Sequence, residues 1–395
     1  MALTSIADQK TPGRPVEVTF AAETGIPSAN QEVLLIGHAA SGAGSGTAAS
    51  YQVAVINNSG DLAAATAEAE TKFGVGSELA KMVIAAVKAN SGASSLPALK
   101  CVPLASTDTG FGTSDAALTA AQGVKAEFVV SCYDATDGTT RGKLKDHALL
   151  VSGAQRVENN QYGTIGVAAN MSVSDPSTLA TPDTQYLALV WKRDAAPAYS
   201  VGELAAAVAA KMAGNVSPFN PLDNVTVTGV AAPTALSDYI SVGAGLESET
   251  ALAKGWTPLR VKSNGDVAVV RSTTTRITVD GTVTATAYYD VQDFQVLYFL
   301  RKAVFSRLNQ PDLKQVKASQ QVAVSIKGEV IRIMQLFQDQ NMLQAVDKLA
   351  KQVVVERSSS DRHRFDIQIP VNVIPGLHVV ATNIVAGTQF DSFTV

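Results

Sequence analysis

The sequence contains few cysteines, and so it has little capacity for covalent cross-links. Its two cysteines, Cys101 and Cys132, lie in the apolar segments LKCVPL and VVSCYD. A free cysteine in such a context behaves as a small hydrophobic residue. The sequence therefore predicts two buried thiols and no disulfide framework, which suits a protein that folds in the cytoplasm.

Charged residues are scarce as well. They make up 17% of the 395 residues, against 46% hydrophobic residues, and the formal net charge is −4. A weakly negative chain has no overall attraction to nucleic acid. No apolar run reaches the ~18 residues of a membrane span, and the first residues do not predict a signal peptide. Sparse charge is typical of a protein that buries surface against partners, although a large monomer can show it too.

The sequence also lacks a recognisable reaction centre. Its four histidines are scattered, without the spacing or the cysteine partners that are typical of a metal site. No nucleophile elbow and no cysteine–histidine signature is present. We therefore expect a protein that is not an enzyme, with no catalytic residue, no metal and no cofactor. The histidines are His38, His147, His363 and His378.

The strongest indication of an enzyme is the glycine-rich loop Gly42–Gly46, which follows the apolar run Gln31–His38. Dinucleotide and P-loop sites begin with a buried strand that leads into such a loop. Here the glycine spacing matches neither motif, the loop has no lysine, and a second predicted strand, Tyr51–Ile56, stands where a helix is required. A surface turn is favoured, and a Rossmann-like nucleotide-binding enzyme is kept as an alternative.

Alternating strands and helices dominate the first two thirds of the chain. The order strand, helix, helix, strand, helix, strand predicts a mainly parallel sheet flanked by helices. Asp61 and Ser77 are predicted to cap the first two helices, and Asn264-Gly265 predicts a hairpin. The predicted strands are 31–38, 51–56, 99–104, 126–132, 162–169, 186–191 and 224–230. The predicted helices are 61–73, 78–90, 114–122, 201–213 and one within 235–254, with 145–152 either a helix or a strand.

The last hundred residues read as three helices followed by strands. Apolar residues on more than one face of 293–308 predict a helix that is buried on several sides. The next predicted helix, 327–339, is preceded by a β-branched approach at Val322, Val324 and Ile326. A short helix, 344–351, comes next, and the polar run Glu356–Arg364 is favoured as a connection between strands over a phosphate site. The predicted strands are 353–356, 365–369, 377–385 and 390–395.

Two apolar strands near the ends of the sequence have no evident cover. Val16, Val18 and Phe20 share one face of a short strand, and this segment is too short to bury that face alone. The final run, Thr382–Val395, ends in a second such strand, Phe390–Val395. Each is therefore expected to pair with a larger sheet, either in its own domain or in another copy of the chain.

Ordered short motifs resemble the sheath protein of contractile phage tails, of the Mu-like gpL type. The family's F-G-x-G-S-x-L-A-x-M signature is present from Phe73 to Met82. Each single piece is common, but their order along the chain is specific. Further matching pieces are Ile26-Pro27, 31–37, Pro218–Leu222, Lys254–Leu259, Gly265–Val267, Arg271–Thr275, Tyr289–Gln292, Leu297–Arg301, Ile331-Arg332 and Val354–Arg357.

This resemblance implies a mixed α/β fold, with a mainly parallel sheet flanked by helices, a C-terminal α+β domain, and extended arms that complete a sheet in neighbouring subunits. Longer family members carry an outer insertion at a point that corresponds to the segment after Leu104, and it is absent here. The implied domains are an N-terminal arm (1–25), an α/β sheath domain (26–230), a C-terminal α+β inner domain (231–380) and a C-terminal arm strand (381–395).

The implied function is that of a structural subunit which polymerises as stacked hexameric rings around a tail tube. Contraction by re-packing of near-rigid subunits drives the tube through the host envelope. The implied partners are copies of itself, the tail tube protein, and the baseplate and tail terminator proteins, with no direct contact to nucleic acid or membrane. The implied location is the virion tail, after assembly in the host cytoplasm. A phage-tail-like particle, such as a tailocin or injection system, is the alternative setting.

The resemblance also assigns inter-subunit contacts, by addition of strands from one subunit to a sheet of the next. The N-terminal arm contributes Val16, Val18 and Phe20, and the C-terminal arm contributes Ile384, Val385, Phe390, Phe393 and Val395. The acceptor sheet is assigned to Val353, Val355, Phe365, Ile367, Ile369 and Val379.

Overall fold

The structure is a computed structural model. It describes residues 31–41, 46–57, 59–90, 98–112, 115–152, 163–172, 176, 179, 181–194, 197–214, 220–232, 247–279, 282–283, 290–310, 313, 317, 319–359 and 364–377.

An eight-stranded sheet forms the centre of the larger part of the molecule, in the order β2-β3-β1-β4-β5-β6-β7-β8. The six strands from β3 to β7 in this order run parallel, and the two edge strands, β2 and β8, run antiparallel to their neighbours. The predicted mainly parallel sheet is confirmed. The strands are β1 (Glu32–His38), β2 (Ala54–Ile56), β3 (Ala98–Leu104), β4 (Phe128–Ser131), β5 (Ile165–Met171), β6 (Leu187–Lys192), β7 (Trp256–Val261) and β8 (Val267–Val269).

Strands at the middle of this sheet are buried on both faces. Consecutive residues of β1, from Val33 to Gly37, are all buried, as are all residues of β4 and β6. Side chains alternate between the two faces of a strand, so helices must cover both. The continuous apolar run that predicted β1 has this cause.

The helices that accompany the sheet start where the sequence offers capping side chains. Asp61 accepts hydrogen bonds from the N–H groups of Ala63 and Ala64, and Ser77 accepts one from Ala80. Both caps were predicted, and Ser200 with Glu203 adds a capping box. The helices are α1 (Leu62–Phe73), α2 (Glu78–Ala89), α3 (Asp115–Ala121), α4 (Gly138–Ser152), α5 (Val201–Ala213) and α6 (Glu247–Leu252).

A second, smaller apolar cluster is built by the C-terminal helices and a two-stranded sheet. Its helices end near residue 350, and its strands follow directly. The elements of this part are α7 (Val291–Leu308), α8 (Gln320–Asp339), α9 (Val346–Leu349), a 3-10 turn (Ala350–Gln352), β11 (Val354–Arg357) and β12 (Phe365–Gln368). A further short antiparallel pair, β9 (Thr278–Val279) and β10 (Thr282–Val283), precedes them in the chain. None of the described helices is long and apolar enough to cross a bilayer.

The larger apolar cluster extends beyond residue 230. It includes Trp256, Leu259 and Val269, and it reaches Val291 and Phe294 in the first turn of α7. The predicted domain boundary at residues 230 and 231 therefore lies within a segment that contributes to one sheet. The change from the larger to the smaller cluster takes place along α7, since Val296 already belongs to the smaller one.

One sequence prediction of a strand is wrong, and one helix begins earlier than predicted. Asn224–Val230 forms a turn with a single bridge, Thr226 to Ala268, because the backbone adopts positive φ at Asn224 and at Gly229. The β-branched approach to the helix at 327 is itself helical, because Ser319 caps a helix that begins seven residues earlier, at Gln320. There Ile326 and Val330 supply buried positions at helical spacing. The helix-or-strand segment 145–152 is the last part of α4.

Two glycines with positive φ allow a matched stability prediction. A methyl group at Gly255, where φ is +73°, would lie 2.6 Å from Cα of Thr275, whereas Gly265, at φ +86°, faces open space. We expect Gly255→Ala to lower the free energy of unfolding by about 3 kcal/mol, from backbone strain and overpacking together. Gly265→Ala should cost about 1 kcal/mol, from strain alone. Urea denaturation of both variants measures the difference. Equal losses in the free energy of unfolding would contradict a contribution from overpacking at Gly255.

Candidate assembly surface

The small sheet consists of two antiparallel strands, β11 and β12. Val355 lies opposite Ile367, and Arg357 lies opposite Phe365. The predicted polar connection from Glu356 to Arg364 overlaps β11, which includes Glu356 and Arg357, and residues 360–363 lie outside the described residues. A two-stranded sheet is marginally stable in water unless something packs on it or extends it. The neighbours of this sheet therefore decide whether it persists.

Both long edges of the small sheet lie open in the part of the chain that the structure describes, where no third strand joins β11 or β12. The N–H of Ser358 donates to the carbonyl of Arg364 at 2.9 Å. Paired and outward-pointing residues alternate along an antiparallel ladder. The backbone groups of Val355 and of Ile367 therefore point away from the partner strand, one on each edge. Such edges are templates for a further strand.

The apolar face of the small sheet is only half covered. Val355, Phe365, Ile367 and the following Ile369 contact the smaller cluster, yet each keeps an intermediate exposure. Val353, immediately before β11, is 1% exposed and anchors the sheet to the cluster. A residue fully covered by its own chain would have an exposed fraction as low as that of Val353. The other four show apolar surface that additional strands or a neighbouring molecule could cover.

Helix α8 is the platform under this sheet. Its inward residues Val330, Met334 and Phe337 are 0% exposed, as the predicted stripe on this helix required. The guanidinium of Arg307 in α7 donates two hydrogen bonds, of 3.0 and 3.1 Å, to the carboxylate oxygens of Glu329 in α8. These hydrogen bonds lower the pKa of the Glu329 carboxyl, so the pair is ionised near neutrality.

Helix α7 joins the small cluster to the large sheet through two different faces. Val291 and Phe294 pack in the larger cluster, whereas Phe299, Leu300 and Val304 pack in the smaller one. The prediction that this helix is buried on several sides is confirmed. A single helix therefore takes part in both cores.

Polar contacts fix the first turn of α7. Arg271 binds Asp290 through two hydrogen bonds of 2.7 and 2.8 Å, and the Asp290 residue is 4% exposed. The hydroxyl of Ser272 donates to Gln292 at 2.9 Å. Thr273 donates its hydroxyl hydrogen to the carbonyl of Trp256 in β7 at 3.0 Å. The Arg271–Thr275 motif therefore connects the start of α7 to β7.

Further along α7, polar groups reach the amino ends of the central strands. Gln295 donates to Gln31 at 2.7 Å, and Arg301 donates to the carbonyl of Ser152 at 2.7 Å. Lys302 Nζ lies 3.8 Å from a Glu127 oxygen. Burial raises the pKa of Glu127 and lowers that of Lys302. These contacts hold the helix rigidly against the large sheet.

The predicted acceptor residues fall into two groups. Val353, Val355, Phe365, Ile367 and Ile369 lie together on one side of the small sheet, on or next to β11 and β12. Their role as acceptors stays a prediction. The remaining site residues lie outside the described residues: Val379 of the acceptor sheet, Val16, Val18 and Phe20 of the N-terminal arm, and Ile384, Val385, Phe390, Phe393 and Val395 of the C-terminal arm.

The glycine-rich loop of the alternative hypothesis can be followed from its last residue. A methyl group at Gly46 would lie 1.9 Å from the carbonyl oxygen of Lys72, so this glycine permits close contact with the last turn of α1. The N–H of Ala48 donates to the same carbonyl at 2.9 Å. The next element is the strand β2, which lies within the strand predicted at 51–56 and forms one edge of the sheet. A packing requirement therefore explains Gly46 without a phosphate.

One group of potential ligands was missed by the sequence analysis. His38, Glu78 and Cys132 place one donor atom each within 4.8 Å of one another. They come from β1, from the start of α2 and from the residue after β4, so their spacing along the chain gives no signal. The adjacency of β1 and β4 in the sheet brings them together.

Comparisons with known proteins identify the fold. No protein-family model and no curated protein sequence matches the chain. Among solved structures, the sheath tail protein of Listeria innocua is 11% identical, with 87% of this chain and 92% of that chain covered and a TM-score of 0.64.

Two further matches come from contractile assemblies. The PVC sheath complex of an extracellular contractile injection system, in its contracted state, is 10% identical, with 97% and 99% covered and a TM-score of 0.60. The helical sheath of the anti-feeding prophage, also contracted, is 14% identical, with 97% and 100% covered and a TM-score of 0.57. Identities this low establish the fold alone, and a relationship to the Mu-like gpL type stays a prediction. This chain has the fold of contractile sheath proteins.

Proposed function

We propose that the chain is a structural subunit of a contractile sheath and not an enzyme. The observation that carries this proposal is the small sheet of β11 and β12. Its apolar face is half covered and both of its long edges are open within the described residues, on a fold shared with sheath proteins. A protein that acted alone would expose such edges to aggregation. In a polymer they are bonds between subunits.

The arms of neighbouring subunits are the proposed occupants of these edges. One strand beside β11 and one beside β12 would extend two strands to four, and a sheet of that size is stable. The N-terminal segment around Val16–Phe20 and the C-terminal segment around Phe390–Val395 supply apolar strands of suitable length. Such contacts are heterologous, because arm and acceptor are different surfaces, and heterologous contacts propagate into helical stacks.

In this proposal contraction is a change of packing between subunits. The subunits form hexameric rings around a tail tube, and the arms keep neighbouring subunits linked while the rings move closer and drive the tube through the host envelope. The double role of α7 supports a rigid subunit, since one helix fixes both cores. The energy is stored in the lattice, so no nucleotide is required.

The proposed partners are copies of this chain, the tail tube, the baseplate and the tail terminator, with assembly in the host cytoplasm. Two settings fit: a phage tail that ejects a genome, and a phage-tail-like particle. The second is kept as the alternative setting, since sheaths of the PVC and anti-feeding prophage systems match over 99% and 100% of their chains. Purified particles distinguish the settings, because a phage carries a DNA-filled head and an injection particle does not.

Electron microscopy of the purified protein tests the proposal directly. A sheath subunit should form tubes or stacked rings without other components. A nucleotide-binding enzyme should stay as discrete particles and should gain several degrees in melting temperature with ATP, NAD or a flavin at micromolar concentration. Discrete particles with such a gain would replace the sheath proposal by the enzyme alternative.

Proline substitutions test each edge of the small sheet. Val355→Pro and Ile367→Pro each remove one outward N–H, on β11 and on β12 respectively, and a proline blocks the addition of a strand there. We expect either variant to stay folded and to lose tube formation, as measured by sedimentation and microscopy. Val355→Ala and Ile367→Ala are the matched controls, because they lose side-chain packing but keep the N–H. Equal loss of tubes in the alanine and proline variants would contradict strand addition.

A further inference from the structure

The carboxyl ends of β1 and β4 hold a cluster of side chains that the proposed sheath function does not use. His38 is the last residue of β1, Cys132 directly follows β4, and Glu78 is the first residue of α2. β1 pairs with β3 on one side and with β4 on the other. The chain thus reverses its direction of winding between β1 and β4, and the crevice at such a point is where α/β sheets bind ligands.

The three side chains offer nitrogen, oxygen and sulfur donors at one point. One ligand atom from each lies within 4.8 Å of the other two, and Nε2 of His38 is 4.0 Å from a Glu78 oxygen. Donors around a tetrahedral zinc ion at 2.0 to 2.3 Å are separated by roughly 3.5 Å. Side-chain rotations that close the gap by a fraction of an ångström to about one ångström would bring all three within bonding distance.

The orientation of His38 favours a ligand role. Its Nδ1 lies 3.1 Å from the carbonyl oxygen of Ala105. A carbonyl only accepts, so Nδ1 carries the proton in this hydrogen bond, and the lone pair of the neutral ring is on Nε2, which faces Glu78. Metal-binding histidines are commonly oriented in this way, by donation of the second ring N–H to a carbonyl. The edge of the ring also packs on Tyr133, with centroids 5.7 Å apart.

The group of three side chains is accessible to solvent and is also partly enclosed by protein. His38 and Glu78 have side chains that are 25% and 26% exposed, so an ion can enter from solvent. Cys132 is 4% exposed and forms the floor of the site. Helix α5 closes one side, since a methyl group at Gly202 would lie 3.0 Å from Cα of Cys132. The fourth position around the ion would be left to water.

We propose that His38, Glu78 and Cys132 bind a zinc ion. A set of thiolate, imidazole and carboxylate with one open position suits Zn²⁺ better than Mg²⁺ or Ca²⁺, which take oxygen ligands. On binding, the Cys132 S–H bond breaks, an S–Zn bond forms, and the proton passes to solvent. The ion would tie β1, β4 and α2 together at one end of the sheet.

Cobalt substitution and a pair of cysteine variants test this site in the full-length protein. Co²⁺ added to metal-free protein should give the absorption of a tetrahedral ion with a thiolate-to-cobalt band. Zn²⁺ should displace it and raise the melting temperature by several degrees. Cys132→Ala should lose the band and the shift, whereas Cys101→Ala, which alters the other buried cysteine, should retain both.

A third variant keeps the test decisive should Cys132→Ala fold poorly. His38→Gln alters a partly exposed residue and should weaken Co²⁺ binding by 100-fold or more with the fold intact. A wild-type protein without the thiolate band overturns the proposal, and so does a band that persists in Cys132→Ala. Tube formation is scored separately, so failure of the metal site and failure of the sheath function are distinguishable.

Discussion

Deletion of residues 386–395 is expected to abolish tube formation and to leave a folded monomer. The deleted segment, DSFTV with the preceding AGTQF, carries the apolar side chains Phe390, Phe393 and Val395 that would pair with a neighbour's small sheet. In this proposal these side chains pair with a neighbour and not with the core of their own subunit, so circular dichroism and thermal unfolding should match the full-length protein.

Deletion of residues 1–20 should have the same effect through the other edge. The two deletions together separate the roles of the arms: mixed with full-length protein, each should cap growing tubes and shorten them. The control is an Asp391→Asn, Thr394→Ser variant, which keeps the length and the apolar residues of the C-terminal arm. Tubes of normal length from either deletion would contradict the strand-exchange mechanism.

Phe337→Ala is expected to combine a large loss of stability with a loss of tube formation. Phe337 is 0% exposed and lies in the smaller cluster under β11 and β12. Removal of a buried phenyl ring costs about 3–5 kcal/mol, and a cluster of this size has few other contacts to compensate. We expect faster amide hydrogen exchange in β11 and β12, together with loss of tube formation.

Phe128→Ala is the matched control for this prediction. Phe128 is also 0% exposed, but it lies in β4, within the larger cluster. Its loss should cost a similar free energy of unfolding and should leave the relative protection of β11 and β12 unchanged. If both variants perturb the small sheet equally, the two cores do not respond separately.

Local signals made much of the fold predictable. Asp61 and Ser77 cap helices in the structure as they were expected to, because a capping side chain acts on the next turn of its own chain. The turn at Asn264-Gly265 joins β7 and β8 for the same reason. The apolar run of β1 reported a strand covered on both faces.

Signals that depend on tertiary context were less informative. The β-branched residues Val322 and Val324 precede the predicted start of the helix at 327, but the cap at Ser319 and the buried face of α8 outweigh their preference for strands and place them inside the helix. In the candidate site, the assignment of Val353 and Ile367 to an acceptor sheet rests on family resemblance and stays a prediction, whereas the open edges follow from the pairing of β11 and β12. His38 and Cys132 meet because β1 and β4 are neighbours, which no spacing along the chain reveals.

The shared helix α7 has a mechanical consequence. A force applied to β11 or β12 is transmitted to the eight-stranded sheet through α7. The two ends of this helix pack in different cores, Phe294 in the larger cluster and Val304 in the smaller one. The two charged hydrogen bonds from Arg271 to Asp290 oppose movement of α7 along its own axis. In the proposed sheath, tension between neighbouring subunits would therefore rotate each subunit as a whole instead of stretching it.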